Sequence, residues 1–237
     1  ASVKGHVTEA GHTSFEVDMA AGESLFIVAG GGDAAVAAAR RVGGYPFEYR
    51  WDVEFSSPLA ESFSTTMYDL KNLSLNDDRR IRFFSGCTTY RSLFEVRKPV
   101  GCDRVELVMR EVGTTAKVWI NDRYVGGVWA APYRLDVTDA VRNGMNSIRI
   151  ETADTWVNAI VGMMTARSEL MAGEGSDKDR DSSASAPTQG GDDAAVEADS
   201  VGWTPPQLHF VVNTYTAQSP LPVAGLTAGV SLIYYGR

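Results

Sequence analysis

Five side chains in the second half of this sequence have the chemistry to hold a sugar: Trp129, Tyr133, Arg134, Trp156 and Asn158. Sugars offer apolar C–H faces to aromatic rings, and their hydroxyls suit Arg, Asn and Asp. Trp129, Tyr133 and Arg134 flank the loop Ala130-Ala131-Pro132, while Trp156 and Asn158 lie at the end of an expected strand. Carbohydrate is therefore the expected partner, with all five residues meeting at one rim. Packing is the competing reading, because large aromatics in β-sandwiches commonly fill the core. It fits Trp119 and Trp156 best and is evenly matched at Trp129 and Tyr133.

Hydrolytic chemistry has less support. A glycosidase of the usual kind needs two carboxylic acids about 5 to 9.5 Å apart across a cleft. Glu54, Glu95, Glu106 and Glu151 instead occupy the polar phase of strand-like runs, where a solvated face is expected. His6, His12 and His209 have neither metal-ligand spacing nor a G-x-S-x-G nucleophile motif nearby, so no catalytic residue is assigned. Gly30-Gly31-Gly32 precedes a helix-prone run from Asp33 to Val42. It lacks the Walker lysine and the G-x-G-x-x-G pattern, and reads as a flexible linker into a short helix. Asp77-Asp78 has the oxygen chemistry calcium takes, but without EF-hand spacing it reads as a solvated turn. No cofactor is expected, and a structural calcium would have no assignable ligand set. Cys87 and Cys102 are expected as free thiols.

The elements that must position these residues are short strands. Val118 and Ile120 alternate with Lys117 and Trp119, and Asn121-Asp122 then breaks the run before Tyr124 to Val128, which reads as a β-hairpin. Tyr133 to Val137 resumes the two-residue period. Thr138 to Gly144 reads as one helical turn with Thr138 as N-cap, and Asn146 to Glu151 alternates again. Upstream, Trp51, Val53 and Phe55 share one face, and strands are expected over Ile81 to Phe84 and Tyr90 to Val96. Leu208 to Tyr215 and Gly229 to Tyr235 supply the closing strands. Short strands with tight turns and no long helix predict an all-β antiparallel sandwich of jelly-roll type.

The run Val118-Trp119-Ile120-Asn121, Gly126, Trp129, Pro132 to Thr138 and Gly144 to Ile148 resembles a galactose-binding-like β-sandwich, a domain that accompanies glycoside hydrolases such as family 2. Phe84-Ser85-Gly86-Cys87-Thr88-Thr89-Tyr90 resembles a strand of family 106 glycoside hydrolases, the α-L-rhamnosidases. Thr155 to Asn158 and Ser219 to Leu226 resemble later segments of that family, so the likeness runs over roughly residues 50 to 235. It implies a C-terminal accessory domain whose catalytic acids lie on an upstream barrel domain of the same protein. It also implies a secreted or periplasmic bacterial setting. The chain departs from the family at Ala159-Ile160-Val161-Gly162-Met163, where relatives carry Arg-Leu-Ile-Gly-Asp, and at Ala224 to Val230.

Composition sets the remaining bounds. The net charge of −8 argues against nucleic acid, which needs a basic face, and no apolar run approaches the roughly 20 residues of a membrane-spanning helix. Residues 173 to 203 hold eight acidic residues against two basic ones, most of the rest being Ser, Ala, Gly and Pro, and read as a disordered acidic insertion. The expected organisation is the edge of a preceding β domain over 1–31, a linker with a short helix over 32–49, and the sandwich over 50–237, interrupted at 173–203. Strand character from Ser24 to Ala29, with no initiating Met or leader before it, fits a mature or truncated chain.

Overall fold

The computed structural model describes residues 5–7, 13–15, 19, 24, 40–47, 50–174, 203 and 214–236. In chain order the strands are β1 Gly5–Val7, β2 Thr13–Phe15, β3 Arg40–Pro46, β4 Trp51–Ser57, β5 Ala60–Met67, β6 Cys87–Val96, β7 Cys102–Val112, β8 Thr115–Ile120, β9 Arg123–Val128, β10 Arg134–Asp136, β11 Gly144–Ala153 and β12 Leu226–Gly236. Helices are α1 Arg79–Arg82 and α2 Val157–Glu174, with a 3₁₀ turn at Leu73–Leu75. A six-stranded sheet has the order β5-β4-β6-β11-β8-β9, a four-stranded sheet the order β10-β7-β12-β3, and β1 pairs with β2. Every pairing is antiparallel.

Alternation decides which side chains go inside. Trp51, Val53 and Phe55 of β4, Tyr90 and Phe94 of β6, Val118 and Ile120 of β8, and Ile148 and Ile150 of β11 form the inner face of the larger sheet, each at 2% exposure or less. Val105, Leu107 and Met109 of β7 and Val230, Leu232 and Tyr234 of β12 meet them from the smaller one. The two sheets thus share one continuous core and form the all-β antiparallel sandwich expected from the sequence.

The hairpin at Asn121-Asp122 also stands. Both residues have positive φ, 50° and 63°, as a two-residue turn matched to strand twist requires. The peptide bond from Ala131 to Pro132 is cis. The helical turn after Val137 forms, with Val137 O accepting from the amides of Ala140 and Val141 at 3.0 Å each. Its cap is not Thr138, however. Asp136 Oδ1 accepts from the Thr138 N–H at 3.0 Å and from its hydroxyl at 2.6 Å, leaving Thr138 Oγ1 to accept from Val105 N–H at 2.9 Å.

Several expectations fail for physical reasons. Ile81 to Phe84 is not a strand: the Asp78 carboxylate accepts from Arg80 N–H at 2.9 Å and starts α1. The 18-residue helix α2 runs from residues expected as the end of a strand into the start of the expected insertion. It packs at Gly162, where a Cβ would lie 2.6 Å from the Phe83 ring, so only glycine permits that approach. The short helix expected through Val42 does not extend there, because Arg40–Pro46 pairs with β12 as a strand. Residues 33–39, the strand expected at 25–28, most of the acidic tract and residues 208–213 lie outside the described residues. Trp203, placed at the end of that tract, is 7% exposed and packs on Phe83 at 5.4 Å, with the Arg79 guanidinium 4.8 Å from its ring.

Candidate functional site

The register of the larger sheet brings the connections carrying the sugar candidates to one end of the sandwich. Ala116 pairs with Val128 on one side and Thr152 on the other, so the chain leaves β9 toward Trp129 and β11 toward Trp156 at the same edge. Trp129 is 79% exposed and Trp156 47% exposed. Arg134 is exposed on β10 opposite Val108, and Tyr133 is half-buried, packed against the core, with its carbonyl accepting from Met109 N–H at 3.0 Å. Asn158 is the exception. It lies in the first turn of α2, only 2% exposed, with Nδ2 donating to Pro222 O at 3.3 Å. Its amide faces the protein interior, correcting the expectation that it lies at the surface. Among the described residues no hydrogen bond, ion pair or ring contact links any two of the five. Trp129 and Trp156 share an end of the larger sheet, while Arg134 stands on β10 opposite Val108 of β7.

The same end contains a polar arrangement that the sequence reading missed. Three consecutive backbone amides leading into β12 are each taken by a different side chain. Ala224 N–H donates to Asn72 Oδ1 at 3.0 Å, Gly225 N–H to Asp154 Oδ1 at 3.2 Å, and Leu226 N–H to Tyr90 Oη at 3.2 Å. The carbonyls are held too: Ala224 O accepts from Leu73 N–H at 3.1 Å and Gly225 O from Gly113 N–H at 2.8 Å. Gly225 has φ 74°, and a Cβ there would meet the Tyr90 hydroxyl and lie 2.6 Å from Leu73 Cδ1. Glycine alone permits the close approach on which these bonds depend. Ser85 Oγ accepts from Ala159 N–H at 3.0 Å, tying the start of α2 to the same end.

Desolvation dominates the electrostatics of this clamp. Burial pushes the Asp154 carboxyl up to about 7, only partly offset by the Gly225 N–H. Its Oδ2 is enclosed without a hydrogen-bond partner, as is Oδ1 of Asn158. Burial also pushes the Tyr90 hydroxyl and the Cys87 thiol up. Cys87 and Cys102 are not disulfide-bonded. Among the described residues no three His, Cys, Asp or Glu side chains cluster to hold a metal, and no helix is long and apolar enough to cross a membrane.

The outward face of the six-stranded sheet is organised differently. Glu54 and Glu151 stand on the polar phase, as expected, and each is bound by an arginine: Arg91 Nη1 reaches Glu54 Oε2 at 2.8 Å, and Arg149 Nη1 pairs with Glu151 Oε1. Glu95 pairs with Arg97 at 3.2 Å. Glu106, on the other sheet, accepts from the Tyr235 hydroxyl at 2.9 Å and pairs with Arg104 at 3.1 Å. Each of these carboxylates is committed to a neighbouring cation or hydroxyl.

Several known proteins are similar to this chain. The chain is 27% identical to the rhamnosidase from Novosphingobium sp. PP1Y, whose structure superposes with a TM-score of 0.57 over 93% of this chain and 17% of that one. It is 35% identical over 114 residues to a Formosa agariphila protein named "Putative beta-glucuronidase", covering 47% of this chain and 10% of that protein. The Bifidobacterium dentium β-glucuronidase structure aligns at 20% identity and TM-score 0.44, over 81% of this chain and 30% of its own. The chain therefore spans about a tenth of the curated relative and under a fifth of the rhamnosidase. The family model described as glycosyl hydrolase 2 galactose-binding domain-like matches residues 66–202. That match covers more than half of the sequence, and the chain belongs to the glycosyl hydrolase 2 galactose-binding domain-like family.

Proposed function

We propose that this chain is a non-catalytic accessory domain of a family 106-like α-L-rhamnosidase that acts on polysaccharide. The observation that carries this reading is a likeness running over 93% of this chain yet only 17% of a rhamnosidase, leaving room in such a protein for a separate catalytic barrel domain. A paired-carboxylate mechanism needs one acid protonated and one ionised in a shared cleft. Here Glu54 and Glu151 are paired with arginines, while Asp154 holds a backbone amide from within. In the proposed organisation, residues 1–31 close a preceding β domain, and the sandwich begins with β3 at Arg40. The parent enzyme is secreted or periplasmic.

Trp129, Tyr133, Arg134 and Trp156 are the proposed sugar-contact residues, with Asn158 anchoring the rim from inside through Pro222. Release of p-nitrophenol from p-nitrophenyl rhamnoside by the 237-residue chain tests the catalytic side, and no turnover is expected. Turnover abolished by one Asp or Glu substitution would refute the accessory reading. NMR titration with rhamnose tests binding, for which weak, millimolar affinity is expected, lost on Trp129→Ala in a protein that stays folded. Bracing of the barrel domain is a second reading, favoured by the burial of Asn158.

A further inference from the structure

The outward face of the six-stranded sheet carries one continuous cross-strand row. Register places Asp52 opposite Arg91, Arg91 opposite Arg149, Arg149 opposite Trp119, and Trp119 opposite Tyr124. Five strands thus contribute one side chain each, spanning about 19 Å at the usual strand spacing of about 4.8 Å. A groove of about 670 Å³ lies along this row, its walls including Arg50, Leu93 and Ser147 as well as Arg91, Arg149 and Trp119. That volume falls within the roughly 300–1,000 Å³ of small-molecule sites.

The middle of the row is chemically unusual. Arg91 and Arg149 are directly opposed, and like charges facing each other across a ladder destabilise it. Each gives one Nη1 to a glutamate on the same outward face, Glu54 and Glu151. A guanidinium has five N–H donors, and among the described residues neither arginine has a further hydrogen-bond or ion-pair partner. Arg149 also lies 3.7 Å over the Trp119 ring, whose other neighbour is Tyr124 at 5.3 Å. Each arginine thus keeps donors beyond those its glutamate takes, and two adjacent guanidiniums with donors to spare suit a carboxylate. Leu93, 63% exposed, and Trp119 supply apolar surface, while Ser147 and Asp122 offer hydroxyl partners.

We infer that this face binds an oligosaccharide bearing a carboxylate, with the acid group bridging Arg91 and Arg149 and a sugar C–H face against Trp119 and Leu93. The site lies on the sheet face rather than at the rim, so its success or failure is separable from that of the Trp129 set. The experiment is an NMR titration of the 237-residue chain, following the Trp119 indole assigned by Trp119→Phe, with trigalacturonate, neutral maltotriose and triglutamate. Trigalacturonate should shift the Trp119 signal and bind at least about tenfold more tightly than maltotriose or triglutamate. Arg91→Gln and Arg149→Gln should each weaken it about tenfold, and Trp129→Ala should leave it unchanged. Arg91→Lys, which keeps the charge and loses the fork, should fall between, and an unaltered thermal midpoint certifies each variant as folded. Equal binding of maltotriose or triglutamate, affinity unmoved by the arginine substitutions, loss on Trp129→Ala, or no shift at about 10 mM would each overturn the inference.

Discussion

Replacing Asp154 by Asn should change stability in a pH-dependent way whose sign follows from the clamp. The carboxyl sits at about 7 in the folded protein, against an ordinary 3.8, because burial penalises its charge. The native state therefore keeps its proton where the unfolded chain has lost it. The resulting stability is fully present below about pH 4 and is lost as pH rises toward 7. A gap of roughly three pH units corresponds to about 4 kcal/mol, an upper bound reached above pH 7. Asparagine keeps an oxygen for the Gly225 N–H and cannot ionise. The variant should thus match the parent within about 1 kcal/mol at pH 4.5 and exceed it by about 2–4 kcal/mol at pH 8. Urea titrations of both proteins at pH 4.5, 6 and 8, followed by far-UV circular dichroism, measure this directly. Subtracting one from the other removes groups that titrate alike in both. A difference that stays flat with pH, or an Asn variant weaker by the same amount throughout, would refute the assignment of Asp154 as a buried acid.

Three further outcomes are expected. Ile148→Ala, at a site only 2% exposed, should cost roughly 2–5 kcal/mol in a denaturant titration, whereas Arg149→Ala on the outer face should cost under about 1 kcal/mol. Tyr90→Phe leaves the Leu226 amide without its acceptor and should lose about 1–3 kcal/mol, with faster hydrogen exchange at that amide as the signature. Replacing residues 175–202 with a short Gly-Ser linker while keeping Trp203 should leave the thermal midpoint nearly unchanged, since loop-closure entropy varies slowly with length; an accompanying Trp203→Ala should lower it, because that ring packs on Phe83 and beneath Arg79.

The strands were legible because alternation reports directly which side of a sheet each residue faces. Val118, Ile120, Ile148 and Ile150 all lie inside as their period requires, and Asn121-Asp122 marks its turn because few other pairs tolerate two successive positive φ values. Helix α2 was not legible. Val157, Ile160 and Val161 read equally as a buried strand, and the contact securing its first turn comes from Ser85, 74 residues away. At α1 the signal existed, since Asp78 is a ready N-cap, but the apolar Ile81, Phe83 and Phe84 outweighed it. The clamp was beyond reach because Asn72, Tyr90 and Asp154 converge only through tertiary packing. The arginine row was half legible: each member shows its polar phase in sequence, but their alignment depends on a register that only pairing defines. The rim candidates were placed at one end of the fold, yet Asn158 lies inside because it opens a helix rather than ending a strand.

The position of β12 between β7 and β3 has a consequence for how the chain is made. Among the described strands β3 pairs only with β12, and Pro46 meets Ser231 about 185 residues later (231 less 46). At a synthesis rate of about 5–20 residues per second, β3 emerges from the ribosome roughly 10 to 40 s before its neighbour exists. By the end of that interval β7 and β10 have been made, and the inner face of β4, β6, β8 and β11 still has no β12 to cover it. Closure of the sandwich is therefore a late event in the life of the nascent chain, and the glycine-dependent clamp at Ala224 to Leu226 is the latch that the arriving strand engages.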